Sequence, residues 1–174
     1  MLAFIIIGLF ALWTGGLHLD GFIDMGDAYF SYRDRDKRLE ILDDPRVGAF
    51  GVLSILFLLF GKFVVLHELF VQNKFALWMV VFIPFLTRVG MSFYFMSLNC
   101  SKEKGLAYFF QSHINAKLLK IIMLLSLLLV MPMVLMITKF SMLPILLVIV
   151  LAFALVIFRQ FTLRNFGGVS GDLL

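Results

Sequence analysis

The chain contains a single cysteine, Cys100, so no intramolecular disulfide can form, and no CxxC or Cys/His grouping offers a zinc site. Charge is scarce as well: Asp, Glu, Lys and Arg make up only 15% of 174 residues, where soluble domains carry roughly 25%. Apolar bulk takes their place, with 62% hydrophobic residues, 21 Phe and a mean hydropathy of +1.03. A soluble globular domain is thereby excluded, and the composition reads as an integral membrane protein embedded in a lipid bilayer. Lys and Arg outnumber Asp and Glu by 15 to 11. No basic stripe with interleaved aromatics stands apart from the apolar runs, so no nucleic-acid binding is expected. The sequence also has no internal repeat and no low-complexity linker, and reads as one domain over 1–174.

Four apolar runs, 47–70, 75–98, 118–138 and 142–158, are long enough, or nearly so, to cross about 30 Å of hydrocarbon. The last is marginal. A fifth, 2–13, is too short to span alone and lacks the basic flank and cleavage site of a signal peptide. It reads as the end of a helix. The predicted fold class is therefore all-α, a polytopic transmembrane helical bundle of about four spans plus a partial N-terminal helix. Short connections at 71–74 and 139–141 imply helical hairpins, leaving 14–46 and 99–117 as the two substantial loops. Arg33, Arg35, Lys37, Arg38 and Arg46 lie in the first loop. By helix alternation Lys102, Lys104, Lys117, Lys120, Arg159 and Arg164 fall on the same side, against Lys74 and Lys139 opposite. The positive-inside rule makes the richer side cytoplasmic.

On that side the segment HLDGFIDMGD carries Asp20, Asp24 and Asp27 at i, i+4 and i+7, within roughly 60° of arc on an α-helix. Three carboxylates on one face repel one another unless a divalent cation, usually Mg2+, removes the cost. A carboxylate-held Mg2+ most often grips the oxygens of a phosphate or pyrophosphate. Downstream, 33–44 suits a short surface helix stopped by Pro45, and its charge run is more simply a solvated face than a site. Asp43, Asp44 and Arg46 then stand at the mouth of a membrane run, with Gly48 and Gly51 permitting close backbone approach to a ligand. A second carboxylate group facing the first is how a two-metal site would be built.

Taken in order, Thr14-Gly15-Gly16-Leu17-His18-Leu19-Asp20-Gly21, then Asp24 and Asp27, Arg38-Leu39-Glu40-Ile41, Asp44-Pro45-Arg46-Val47-Gly48-Ala49-Phe50-Gly51 and the tail Gly167-Gly168-Val169-Ser170-Gly171-Asp172 resemble the cobalamin (cobalamin-5'-phosphate) synthase family, or adenosylcobinamide-GDP ribazoletransferases. The resemblance covers essentially the whole chain. It implies a multi-pass enzyme of the cell (inner) membrane, with its active site facing the cytoplasm. Such an enzyme joins adenosylcobinamide-GDP to α-ribazole or its 5'-phosphate, releases GMP and requires Mg2+. Under that reading Asp20, Asp24 and Asp27 are metal ligands, with Asp44, Asp43 and Asp172 as further candidates. Arg46 and Arg88 present guanidinium forks to phosphate. His18 either orients a carboxylate or takes the attacking hydroxyl's proton. Gly48, Gly168, Ser170 and Lys62 are candidate substrate contacts, although a lysine in an apolar run also snorkels or faces a protein interior. Familiar members extend further at both ends. Against them the chain reads as truncated, either a fragment or a short form whose site a second subunit completes, which admits a homo-oligomer.

Other membrane Mg2+ enzymes use similar carboxylates. A CDP-alcohol phosphotransferase would carry Ala-Arg where Ile23-Asp24 stands, and a prenyltransferase would place its Asp clusters on two separate helix pairs. A divalent-cation transporter would hold its carboxylates at mid-membrane depth. His67, Glu68 and His113 are more simply wet surface residues, and the Met and Phe residues packing or lipid-facing groups.

Overall fold

The computed structural model describes residues 1–174 and is all-helical. Its eight helices are α1 (Leu2–Trp13), α2 (Leu17–Phe30), α3 (Arg35–Leu42), α4 (Ala49–Val71), α5 (Leu77–Phe95), α6 (Leu106–His113), α7 (Ala116–Ile137) and α8 (Leu143–Asn165), with a 3-10 turn at Gly171–Leu173. Four of them, α4, α5, α7 and α8, are long and apolar enough to cross a membrane. The protein is thus a multi-pass membrane protein, as its composition required. Helix α8 runs to Asn165, well past the apolar run that ends near residue 158. Backbone hydrogen bonding does not stop where hydrophobicity stops, and the helix carries Arg159 and Arg164 beyond its apolar part.

The chain forms two compact units, Met1–Phe75 with Gly171–Leu174, and Ala76–Ser170. In the first, α1 and α2 are bent by 92° at a three-residue break. Gly15 and Gly16 turn that corner with φ of 63° and 72°, left-handed values that glycine adopts without a Cβ penalty. Within the connection 14–46, α2 carries the three aspartates on the helix their spacing implies, and α3 is the short helix expected at 33–44. Asp34 then caps α3 by accepting from the Lys37 N–H at 3.0 Å.

Packing of α2 on α4 depends on small residues. A Cβ on Gly26 would lie 2.4 Å from Ser54 Oγ, and one on Gly51 would lie 2.8 Å from the Ile23 carbonyl oxygen. Close backbone approach of this kind is how helices associate when lipid removes the hydrophobic drive between them.

The second unit is organised around α5, which packs on α7 and α8. Phe82, Leu86 and Val134 form its buried centre, flanked by Trp78, Phe85 and Leu151. Gly90 lets the Leu151 and Leu155 methyls approach to 3.2–3.3 Å of where a Cβ would stand. Deeper along the pair, the buried Tyr94 and Thr162 hydroxyls share a 2.7 Å hydrogen bond, satisfying two polar groups that would be costly unpaired. Gln111 on α6 ties the following loop. Its Nε2 donates to the carbonyls of Leu98 (2.6 Å) and Phe95 (3.2 Å), while its Oε1 accepts from the Cys100 N–H at 3.1 Å.

Candidate active site

Helix α2 places its three aspartates in unequal environments. Asp20 is exposed in the first turn, where a carboxylate complements the positive end of the helix dipole. Asp24 lies half-buried one turn on. The 3-10 turn packs against this helix so closely that a Cβ on Gly21 would stand 2.6 Å from the Asp172 carbonyl oxygen, and Asp172 joins the cluster. Burial first, then the charges of Asp20, Asp172 and Asp27, push the Asp24 carboxyl up to about 6. Four carboxylates from two distant stretches of sequence thus share one electrostatic neighbourhood.

Asp27 is set apart by its partners. Its Oδ2 accepts from the Gly48 N–H and its Oδ1 from the Gly51 N–H, both at 2.7 Å. No side chain of the α4 N-terminus caps that helix. A carboxylate 21 residues upstream of Gly48 does so instead, at the positive end of a membrane-crossing helix. The close approach that Gly48 allows is occupied by this same group, since a Cβ there would fall 2.4 Å from Asp27 Oδ1. Each Asp27 oxygen still keeps a further lone pair.

Asp44 and Arg46 face one another. Arg46 Nη2 meets Asp44 Oδ2 at 2.6 Å and its Nε meets Oδ1 at 2.9 Å. Hydrogen bonds from Arg46, side chain and backbone, hold the Asp44 carboxyl down at about 2, and Asp44 in turn raises the guanidinium. Asp43 is exposed at the C-terminal end of α3. His18 Nδ1 lies 3.0 Å from Thr14 Oγ1, and that hydroxyl is itself 2.9 Å from the Phe10 carbonyl oxygen.

The remaining candidates are more dispersed. Lys62 is exposed on α4, thirteen residues beyond Ala49, or about 20 Å along the axis at 1.5 Å per residue. Arg88, Gly168 and Ser170 belong to the second unit. Arg88 is exposed on α5, its Nη1 3.8 Å from Met91 Sδ. Gly168 is buried against the loop after α5, and a Cβ there would sit 2.5 Å from the Asn99 carbonyl oxygen. The Val169 N–H donates to that carbonyl at 3.0 Å, and the Ser101 N–H to the Val169 carbonyl at 2.9 Å. Sequence reasoning missed three things here: the capping role of Asp27, the part of Gly21 in seating Asp172, and Gln111. For the first two the signal was present, as glycines at close spacing near the aspartates. For Gln111 there was none.

The donor set is all hard oxygen, which suits Mg2+ and not zinc or copper. No group of three or more His, Cys, Asp or Glu side chains is arranged to hold a metal ion unaided.

Fold and site together define a multi-pass, all-helical membrane protein with a carboxylate cluster where a short bent helix meets the chain's tail. The description cobalamin-5-phosphate synthase (CobS) is that of the family whose model matches residues 1–174. The chain belongs to this family. Among relatives, it is 36% identical over 160 residues to the adenosylcobinamide-GDP ribazoletransferase of Clostridium botulinum (strain Alaska E43 / Type E3), covering 92% of this chain and 62% of that protein. The protein of the same name from Clostridioides difficile (strain 630) is 33% identical over 171 residues, covering 94% and 64% respectively. That of Geobacillus sp. (strain WCH70) is 34% identical over 165 residues, covering 94% and 63%. The chain thus spans just under two thirds of the length of these relatives. No solved structure matches it.

Proposed function

We propose that this chain forms the catalytic unit of an adenosylcobinamide-GDP ribazoletransferase. It transfers the adenosylcobinamide-phosphate moiety of adenosylcobinamide-GDP to a ribose hydroxyl of α-ribazole or its 5'-phosphate. The hydroxyl oxygen bonds to the cobinamide-side phosphorus, the pyrophosphate bridge breaks, and GMP leaves. The single observation that carries the reading is the gathering of Asp20, Asp27 and Asp172 about the half-buried Asp24, where burial first and then the three charges push that carboxyl up to about 6. Such a cluster is unfavourable alone and favourable once a cation and a pyrophosphate complete it.

Asp20, Asp24, Asp27 and Asp172 are the candidates from which one or two carboxylates would hold Mg2+, with waters and the substrate's phosphate oxygens completing its shell. When bound, the ion supplies positive charge to the pyrophosphate oxygens as the bridge breaks. The protein's own residues do the remainder. Arg46, on releasing Asp44, grips phosphate with its fork, and Arg88 is the candidate for a second grip. His18 is the candidate to orient a carboxylate or to take the acceptor hydroxyl's proton. Asp43 and Asp44 are candidates for a second cation, and Lys62, Gly48, Gly168 and Ser170 for substrate contact. The distribution of Lys and Arg supports a cytoplasmic site in the cell membrane.

The test is turnover by purified membranes containing the chain, supplied with adenosylcobinamide-GDP, α-ribazole 5'-phosphate and Mg2+. GMP release and a cobalamin product are expected only when acceptor and Mg2+ are both present, and turnover is lost in Asp24→Asn. Acceptor-independent GMP release, or full activity of Asp24→Asn, would overturn the assignment.

A further inference from the structure

Helix α6 sits in the connection between two membrane-crossing helices, ten residues after α5 ends at Phe95 and two before α7 begins at Ala116. Both ends of its connection lead into helices long and apolar enough to cross a membrane. Its inner face is fixed by Ala107, which is buried, and by the Gln111 amide bonded to the loop carbonyls of Phe95 and Leu98. At 100° per residue, Leu106, Phe109 and Phe110 fall on a different arc, about 100° wide. They are 75%, 54% and 50% exposed. Large apolar side chains in such a strip call for an apolar partner.

The flanks say which one. Lys104 precedes the helix, and Lys117 and Lys120 follow it, all exposed. Across residues 99–120 four lysines face a single acid, Glu103. A short helix with an aromatic strip, bracketed by lysines and tied to membrane spans, has the chemistry of an element lying in the plane of an anionic lipid surface. We infer that α6 inserts Leu106, Phe109 and Phe110 into the headgroup region of the leaflet, and that Lys104, Lys117 and Lys120 bind anionic phospholipid head groups. This surface is independent of the carboxylate cluster and of the reaction assigned to it.

The test uses the full chain with Cys100→Ser, leaving no native thiol, and a fluorescent nitrobenzoxadiazole group attached at Phe110→Cys or at Ser112→Cys. Ser112 lies about 160° around the helix from Phe110. Each protein is reconstituted into vesicles of phosphatidylcholine alone or with phosphatidylglycerol. The label at 110 is expected to be quenched by nitroxide-bearing lipid, and to be at least about threefold less accessible to aqueous iodide than the label at 112. Phosphatidylglycerol should widen that difference. The combined Lys104→Gln, Lys117→Gln and Lys120→Gln variant, still anchored by its spans, should lose the widening. Equal iodide access at 110 and 112 would overturn the inference, and shielding of 110 from both quenchers would do so in favour of a protein partner. A difference indifferent to lipid charge would overturn the role of the lysines.

Discussion

Replacing Asp27 removes the tie between α2 and the mouth of α4, and its cost can be worked from the contacts. Asp27 accepts two charge-assisted hydrogen bonds, from the Gly48 and Gly51 N–H groups, each 2.7 Å long. Removing the partner of such a bond costs about 1.5–3 kcal/mol when the donor stays buried. Gly51 is buried but Gly48 is only partly so and can rehydrate. For Asp27→Ala we therefore expect about 2–4 kcal/mol, and for Asp27→Asn, which keeps one acceptor oxygen, about half of that.

A double-mutant cycle sharpens the test. A Cβ on Gly48 meets Asp27 carboxylate atoms at 2.4, 2.8 and 3.1 Å, and these are its three nearest neighbours. The backbone there, at φ of −92°, accepts alanine without strain. Gly48→Ala should thus cost at least about 1 kcal/mol with Asp27 present and close to nothing in the Asp27→Ala background. The assay is equilibrium unfolding in mixed dodecyl maltoside and dodecyl sulfate micelles, followed by far-ultraviolet circular dichroism. Equal costs for Gly48→Ala in both backgrounds, or an Asp27→Ala change below about 0.5 kcal/mol, would refute the capping argument.

Two further outcomes follow from the cluster. The Asp24 carboxyl holds its proton up to about 6 in the folded chain, against 3.8 ordinarily. Its contribution to stability is therefore full below 3.8 and fades as pH rises through 6, so the melting temperature in Mg2+-free buffer should fall across that window and flatten in Asp24→Asn. A pH series of thermal melts reads both. Gly21→Ala places a Cβ 2.6 Å from the Asp172 carbonyl oxygen and 2.9 Å from its Cα, backbone atoms that cannot swing aside. The 3-10 turn must shift, and GMP release should drop by about 10–100-fold while α2 stays folded, measured as turnover beside circular dichroism.

Much of the architecture was legible because bilayer-spanning segments announce themselves by length and apolarity. The expected end of a helix at 2–13 coincides with α1, and each of the four runs falls on one long helix. The three aspartates were legible too, because helical period alone puts them on one face. Helix α6 was less so: eight residues with three aromatics inside a lysine-bearing loop give too short a pattern to separate from irregular chain. Helix α8 outruns its apolar stretch because hydropathy measures lipid preference, whereas Arg159 and Arg164 continue the helix.

By itself the sequence determined a membrane-spanning helical protein, the presence of a carboxylate-rich face, and kinship through ordered short motifs, all of which depend on composition and local spacing. Only the tertiary structure decided which carboxylate does what. Asp20, Asp24 and Asp27 are equivalent in period, yet α4 claims both oxygens of Asp27, the tail crowds Asp24 through Asp172, and Asp20 remains at the surface. Burial of Asp24, the charge of Asp172 brought in from the chain's far end and the Gly48 and Gly51 N–H partners of Asp27 set those differences beside the local charge of Asp20, and no local pattern encodes them.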